Sequence, residues 1–384
     1  NFKSYWSNDS LYYHPLFGQG MCRNRFETIL RCLKFYDDTC DKSSRLHKIE
    51  QVMNHLIGNI QKVYYPGENL SLDEGLLLWR GRLQFRQYIP LKKAKFGIKT
   101  YELCTPDGFV LNFFIYCGKD TVHNENGHAY SVVYKLLQNY LGKWHTVYMD
   151  NYYNSVQLAA SLYGNKTKVV GTLRKNRRGN PKFVVEKKLK KGESIFAINK
   201  NILVQKWKDK REVLTISTKH NASFQDVTSK RGIITKKPST IVDYNKNMSG
   251  IDRSDQMIAY YSSPRKSLRW YIKFFFHIMD IAIWNSCWLY NKTESTNMNY
   301  LQFRNEIARQ LLGISRIKKA ISLIHNNERN HCPKKLSKRV RCRVCSARKV
   351  RKDTFFACDT CKTSTGKPVG LCVNECFKLF HLIK

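Results

Sequence analysis

Ser71-Leu72-Asp73-Glu74-Gly75-Leu76-Leu77-Leu78-Trp79-Arg80-Gly81-Arg82 sets two carboxylates in a short apolar run and closes it with two arginines around a glycine. The run predicts a strand over 69–78, with Asp73 and Glu74 on opposite faces. A carboxylate on a buried strand is costly unless a cation sits on it. That cation is either Arg80 or Arg82, as a local salt bridge, or a bound metal. Two further stretches weigh on the choice. Tyr148-Met149-Asp150-Asn151 ends another apolar run in a carboxylate. Met248-Ser249-Gly250-Ile251-Asp252-Arg253-Ser254-Asp255 carries two acids three apart, on one helix face. An acidic pair there is also an ordinary helix start, facing the positive end of the dipole. Three separated acidic points in a basic chain suggest one shared metal site.

Outward from that stretch the pattern is readable. Residues 1–68 read as helical, with apolar faces through Phe26, Ile29, Leu30 and Leu33 and through Ile49, Val52, Met53, Leu56, Ile57 and Ile60. Strands are expected at 99–105 and 109–118, around the turn Pro106-Asp107-Gly108. A helix follows at 129–141, a strand at 146–149, a helix at 156–163 and a strand at 169–173. Three antiparallel strands, helix, strand, helix, strand make a mixed α/β sheet, similar to a ribonuclease H-like core. In that order Asp73 lies on the first strand and Asp150 ends the fourth.

The chain has 67 Lys+Arg against 29 Asp+Glu, a formal net charge of +38. Such a charge implies a polyanionic partner, nucleic acid first. A membrane is the rival, but no clean 20-residue apolar span stands out. The nearest, 270–290, is interrupted by Lys273, His277, Asp280 and Asn285 and reads as a helix buried in protein. The chain starts at Asn1 rather than Met, so a preceding segment is expected.

The basic excess is concentrated. Arg174, Lys175, Arg177 and Arg178 open a segment, 174–238, expected to be an inserted β-rich domain with a DNA-facing surface. At 260–270, Arg265, Lys266, Arg269 and Trp270 interleave aromatic and basic side chains, as a phosphate track with base-stacking rings does. Trp270 reads equally well as a core residue. Further helices are expected at 271–290 and 300–325.

Seven of the 13 cysteines fall between Cys332 and Cys376. Cys342-x2-Cys345, Cys358-x2-Cys361, Cys372-x3-Cys376 and His381 have the spacing of tetrahedral Zn²⁺ sites. Seven ligands are one short of two sites, leaving His331 or Cys332 as the eighth. The pairing is not readable from spacing. An interleaved one would resemble RING or PHD fingers, and a segment so poor in apolar mass needs metal to fold.

Together these residues resemble the piggyBac-like DDE transposases, from about Tyr5 to the C-terminus. The resemblance rests on Ser71-Leu72-Asp73-Glu74 with Trp79-Arg80-Gly81-Arg82, and on Tyr88-Ile89-Pro90-x-Lys92-x3-Phe96-Gly97-Ile98-Lys99. Asp150-Asn151-Tyr152-Tyr153-Asn154-Ser155, Val170-Gly171-Thr172-Leu173-Arg174, Tyr244-Asn245 through Asp252-x2-Asp255-Gln256 and the cysteine-rich tail follow in order. It implies cut-and-paste DNA transposition at TTAA sites, with Asp73, Asp150 and Asp252 as catalytic residues and Asp255 as an additional acid. Two Mg²⁺ would be held by these four, with Asp73 bridging, and two structural Zn²⁺ by the tail. Arg80, Arg82, Lys93 and Lys95 would hold phosphates nearby. The implied layout is a ribonuclease H-like core at 69–173 and 239–261 and an insertion at 174–238. A helical dimerisation and DNA-binding domain takes 1–68 and 262–325, and the zinc-binding tail 326–384. DNA as partner, both transposon terminal repeats and target, a homodimer and a nuclear location complete the expectation. Two alternatives stand beside it: a host-recruited DNA-binding protein without transposition, and a zinc-finger reader or ubiquitin-ligase module.

Overall fold

The computed structural model describes residues 2–39, 41–90, 92, 94–118, 126–228, 232, 234–263, 266–314 and 331–382. The chain divides into two units, 1–307 and 308–384. In the first, one sheet holds β1 (Asn69–Leu78), β2 (Gln87–Tyr88), β3 (Phe96–Cys104), β4 (Val110–Ile115), β5 (Thr146–Met149), β6 (Lys168–Thr172), β7 (Ser194–Asn199), β8 (Ile202–Lys208) and β9 (Glu212–Ser217). Ribbon β10 (Phe224–Thr228) and β11 (Ile234–Pro238) is separate. Helices α1 (Pro15–Gly20), α2 (Arg23–Cys32) and α3 (Glu50–Val63) precede the sheet, and α4 (His128–Leu137), α5 (Val156–Gly164) and α6 (Lys182–Glu186) fall between its strands. Helices α7 (Ser239–Asn247), α8 (Gly250–Tyr260) and α9 (Trp270–Thr293) follow it.

Sheet order runs β4–β3–β1–β5–β6–β9–β8–β7, with β2 also on β3. Strands β4, β3 and β1 are antiparallel neighbours, while β5 lies parallel to β1 and β6 parallel to β5. Alternation sends Leu70 and Leu72 of β1, Tyr101 and Leu103 of β3, and Val147 and Met149 of β5 to one face. There they pack on Val132, Val133 and Leu136 of α4 and Leu158 and Leu162 of α5. The other face receives Ile98, Phe113 and Ile115 against Ile251 of α8 and Phe274, Ile278 and Ile281 of α9. Each such side chain buried stabilises by about 1.5–3 kcal/mol.

The polar residues that interrupt α9 have structural partners. Asn285 accepts from Val110 N–H at 2.9 Å and donates to Val110 O at 2.8 Å, zipping the helix onto β4. Asp280, fully buried, accepts from Ser263 N–H and Oγ–H and pairs with Arg304 at 2.8 Å. Among the described residues no helix is long and apolar enough to cross a membrane.

The expected inserted domain is not separate. Strand β9 pairs antiparallel with β6, Gly171 opposite Ile216, and β8 and β7 follow it. Val204, Leu214 and Ile216 enter the same apolar core as Val169, so strands β7–β9 of this segment extend the central sheet, while β10 and β11 stay a separate ribbon. Helix α3 packs on β4 and on α9, the long helix of the 262–325 segment expected to share its domain. Of the helix expected at 300–325, α10 (Tyr300–Leu311) is observed; 315–325 lies outside the described residues.

In the second unit, β12 (Pro333–Arg341), β13 (Asp353–Lys362) and β14 (Pro368–Gly370) form an antiparallel sheet, with α11 (Arg343–Ala347) and α12 (Glu375–Leu382). Its buried apolar cluster is small: Cys358, Val369 and Leu371, with Val344, Cys361, Phe377 and Phe380 packed against it.

Candidate active site and metal centres

Parallel register pairs Leu72 with Met149, so Asp73 and Asp150 are the next residues on adjacent strands. The two carboxylates thus emerge side by side. Asp73 makes no ion pair with Arg80 or Arg82; its Oδ1 accepts the Glu74 N–H at 2.9 Å. Burial first, then the charges of Glu74 and Asp150, push its pKa up to about 8. Burial also raises Asp150, whose Oδ1 accepts the Tyr152 N–H at 2.7 Å. Asp252 is exposed on the first turn of α8. Asp255, one turn on and more buried, is pushed up to about 8 by burial and by the charge of Glu102. Glu74 takes the other face, where it accepts from Tyr153 OH at 3.2 Å.

Close backbone approaches hold these acids. Asn154, almost fully buried, donates to Met149 O, Asp150 O and Thr172 O at 2.9, 3.1 and 3.0 Å. It stitches the end of β5 to β6 and so fixes Asp150. A Cβ on Gly171 would lie 2.1 Å from Met149 O and 2.2 Å from Asn154 Nδ2, so only glycine fits. On the opposite face Ser71 Oγ donates to Met248 O at 2.8 Å. A Cβ on Gly250 would lie 2.3 Å from Thr105 O. Without that Cβ, the first turn of α8 seats on the sheet and brings Asp252 and Asp255 over β1 and β3.

In the tail the structure gathers eight side chains into two groups of four. Ligand atoms of Cys342, Cys345, Cys372 and Cys376 all lie within 4.8 Å of one another, as do those of His331, Cys358, Cys361 and His381. Cys345 Sγ and Cys376 Sγ are 3.5 Å apart, and His331 Nδ1 is 3.1 Å from Cys358 Sγ and 3.4 Å from Cys361 Sγ. Arms of ~2.3 Å at tetrahedral angles put ligand atoms about 3.5–3.8 Å apart, so the spacing fits Zn²⁺. The first Cys pair joins the third, and the second joins the two histidines: the interleaved arrangement. His381 donates Nδ1–H to Phe377 O at 2.7 Å, leaving Nε2 toward Cys361. Among the described residues these are the groups of three or more His, Cys, Asp or Glu that meet the 4.8 Å condition; the sheet acids are spread wider.

A family model described as Transposase IS4 matches residues 1–287, and one described as DDE_Tnp_1-like zinc finger matches 325–382. Human PiggyBac transposable element-derived protein 3 is 26% identical over 387 residues, covering 94% of this chain and 64% of that protein. Human PiggyBac transposable element-derived protein 2 is 24% identical, covering 80% and 55% respectively. A cryo-EM structure of the piggyBac transposase synaptic complex with hairpin DNA superposes with a TM-score of 0.71 at 23% identity, over 98% of this chain and 85% of that one. The chain belongs to the piggyBac-like transposase family. It spans less than two thirds of the length of the two human relatives.

In this piggyBac-like chain the cations expected on DNA divide into two kinds. Arg80 and Lys95 are exposed and line a cavity of about 970 Å³ that also reaches Lys92 and Asp255. Arg82, Arg178 and Lys266 are exposed, and Arg174 donates to Asn151 Oδ1 at 3.0 Å beside Asp150. Arg177 and Arg269 have another task. Arg177 donates to Tyr152 O and Asn151 O, clamping the turn after Asp150. Arg269 donates to Leu30 O, Arg31 O and Leu33 O, closing the C-terminal end of α2. Trp270 packs edge-on to Phe85 at 5.2 Å in the core. Lys93 and Arg265 lie outside the described residues.

The sequence reading missed Glu102. It stands opposite Asp73 in register, on the same face, and is 3% exposed. Thr100 Oγ1 donates to its Oε1 at 2.6 Å. Its carboxylate lies across β1 where a Cβ on Gly75 would be 2.3 Å away, so that mid-strand glycine makes the room. A carboxylate in the apolar run Tyr101-Glu102-Leu103 was the available signal, the same one that marks Asp73.

Proposed function

We propose that this chain cuts and joins DNA at the ends of a transposable element, by cut-and-paste transposition at TTAA sites. The observation that carries the reading is the shared register of β1 and β5, which sets Asp73 beside Asp150 under the helix bearing Asp252 and Asp255. The strand order supports a ribonuclease H-like core. Two Mg²⁺ would be held by Asp73, Asp150, Asp252 and Asp255. The donor set fits a hard cation: it is all carboxylate oxygen, and the burial and neighbouring negative charge that push Asp73 and Asp255 up to about 8 are what a divalent ion would offset. Held by these carboxylates, such ions would supply Lewis-acid polarisation of a scissile phosphate and activation of the attacking oxygen.

The chain's own part is to orient. Asn154 and Gly171 fix Asp150, Gly250 seats α8, and Arg80, Lys92 and Lys95 line the approach to Asp255 with positive charge. The tail would hold two structural Zn²⁺ and read transposon ends, and the basic surfaces would supply the salt-sensitive part of DNA affinity. A homodimer acting in the nucleus completes the proposal.

The test is strand cutting. Purified protein with Mg²⁺ and DNA carrying its element's ends should nick at those ends, and Asp150→Asn should lose at least about 100-fold in rate. No nicking by the unmodified chain would leave DNA binding as the function, the second reading suggested by relatives named as element-derived. Cutting that survives Asp150→Asn would overturn the site.

A further inference from the structure

A second cavity, of about 520 Å³, opens beyond the acids, between β6, the β8–β9 turn, β11 and α7. Its lining includes Trp207, Lys210, Arg211, Lys237 and Tyr244. Trp207 is 7% exposed, and its indole Nε1–H is buried without an acceptor. Two residues back on the same face of β8, Gln205 accepts from Thr240 Oγ1 at 3.0 Å, while its Nε2 also lacks an acceptor. A buried donor left unpaired costs about 1–3 kcal/mol. Of the two, Trp207 lines the cavity, and its unpaired donor marks a place that can meet an acceptor.

The charge says which kind of acceptor. No described acid lies within 4.0 Å of the Lys210, Arg211 or Lys237 side-chain nitrogens, and Asp209 is the one acid in the lining. Three cations against one anion favour a group with negative oxygens. Tyr244 lines the cavity and also lies within electrostatic reach of Asp150, Asp73 and Asp252.

We propose that the cavity binds a phosphate of the DNA strand that runs to the acids, with Trp207 donating its indole N–H and Lys210, Arg211 and Lys237 neutralising the charge. The inference rests on the DNA-processing reading and adds to it a fixed point for the strand at the cavity that Tyr244 lines. Bond-making is not required of it, so it is testable without cutting.

This 384-residue chain carrying Asp150→Asn, with ¹⁵N-labelled tryptophan, gives one indole N–H signal for each of its seven tryptophans. The signal missing in Trp207→Phe identifies Trp207. A random-sequence 30-base-pair duplex should shift that signal. If inorganic phosphate alone shifts it and the duplex does not, the site takes free phosphate and the strand assignment falls. If neither does, the proposal is overturned. In parallel, Lys210→Ala/Lys237→Ala should weaken duplex binding about 10-fold and make the slope of log affinity against log salt shallower by about 1. Lys62→Ala/Lys188→Ala removes the same charge outside the cavity; an equal loss in both pairs overturns the site. A Trp207 shift in a chain whose unmodified form never nicks DNA would keep this cavity and reject the catalytic reading.

Discussion

The acids on the sheet and the cysteines and histidines of the tail both use metal-binding residue types, but different forces assemble them. Asp73, Asp150 and Asp255 are placed by strand register, by Asn154 and by glycines that allow backbone contact. Their oxygens are spread wider than a ligand shell. In the tail the eight ligand atoms already stand at ligand-shell distances, around a cluster of only three buried apolar side chains. A core that small does not offset the entropy of ordering some fifty residues. On the proposed reading, metal would be a component of folding in the tail and of the reaction on the sheet.

Removing metal breaks the comparison most sharply. Zinc binding in small fingers is worth about 10–16 kcal/mol. Stripping the protein with a strong chelator should unfold 331–382, while the sheet from β1 to β9 keeps its shape. Hydrogen exchange reads both at once: amides of β12 and β13 should lose their protection and those of β1, β3 and β5 should retain it. Protection that persists in β13 without metal would mean the tail has a core of its own.

The converse attack leaves metal in place and disturbs backbone contact. Gly171→Ala sets a methyl 2.1 Å from Met149 O, and Gly250→Ala sets one 2.3 Å from Thr105 O. Neither contact is with the end of a flexible side chain, so the backbone must move. Each should cost about 3 kcal/mol or more in urea unfolding of the first unit, with tail zinc content unchanged. Gly164→Ala, with nothing within 4 Å, should change stability by less than about 1 kcal/mol. If Gly171→Ala unfolds no more easily than Gly164→Ala, register rather than close contact holds Asp150.

What the sequence disclosed follows the same division. The first strand, the Asp150 turn and the spacing of Asp252 and Asp255 are local patterns, so alternation and helical periodicity expose them. His331 was one of two candidates for the eighth tail ligand; its approach to Cys358 and Cys361 distinguishes it from the exposed Cys332. The interleaving was open because every pairing has the same spacing. Non-local facts were hidden. That β9 docks on β6 depends on which edge is free. That Arg177 and Arg269 serve carbonyls cannot be read from their charge. Glu102 escaped because its place depends on the missing Cβ of Gly75, one strand away.

The smallest effect sharpens the comparison by its sign. Burial raises the pKa of Glu102, and Asp255 is pushed up to about 8 by burial and Glu102. The metal-free folded chain therefore keeps protons that the unfolded chain releases near pH 4. Stability from Asp255 is full below that pH and is lost as pH rises through about 8, and Glu102 contributes in the same direction. His277, lowered to about 4 by burial, gives the opposite slope between about 4 and 6.5, so the measurement belongs between about pH 7 and 8.5. Across that window, without divalent ions, Glu102→Gln should make the loss of stability with pH shallower and raise stability at the upper end by about 1–3 kcal/mol. Mg²⁺ should narrow the gap between variant and unmodified chain by neutralising the same charge. The zinc-loaded tail should move the other way, gaining stability with pH because protons compete with metal for thiolates. Equal slopes for Glu102→Gln and the unmodified chain would remove Glu102 from the acidic site and leave Asp255 raised by burial and the charge of Asp252.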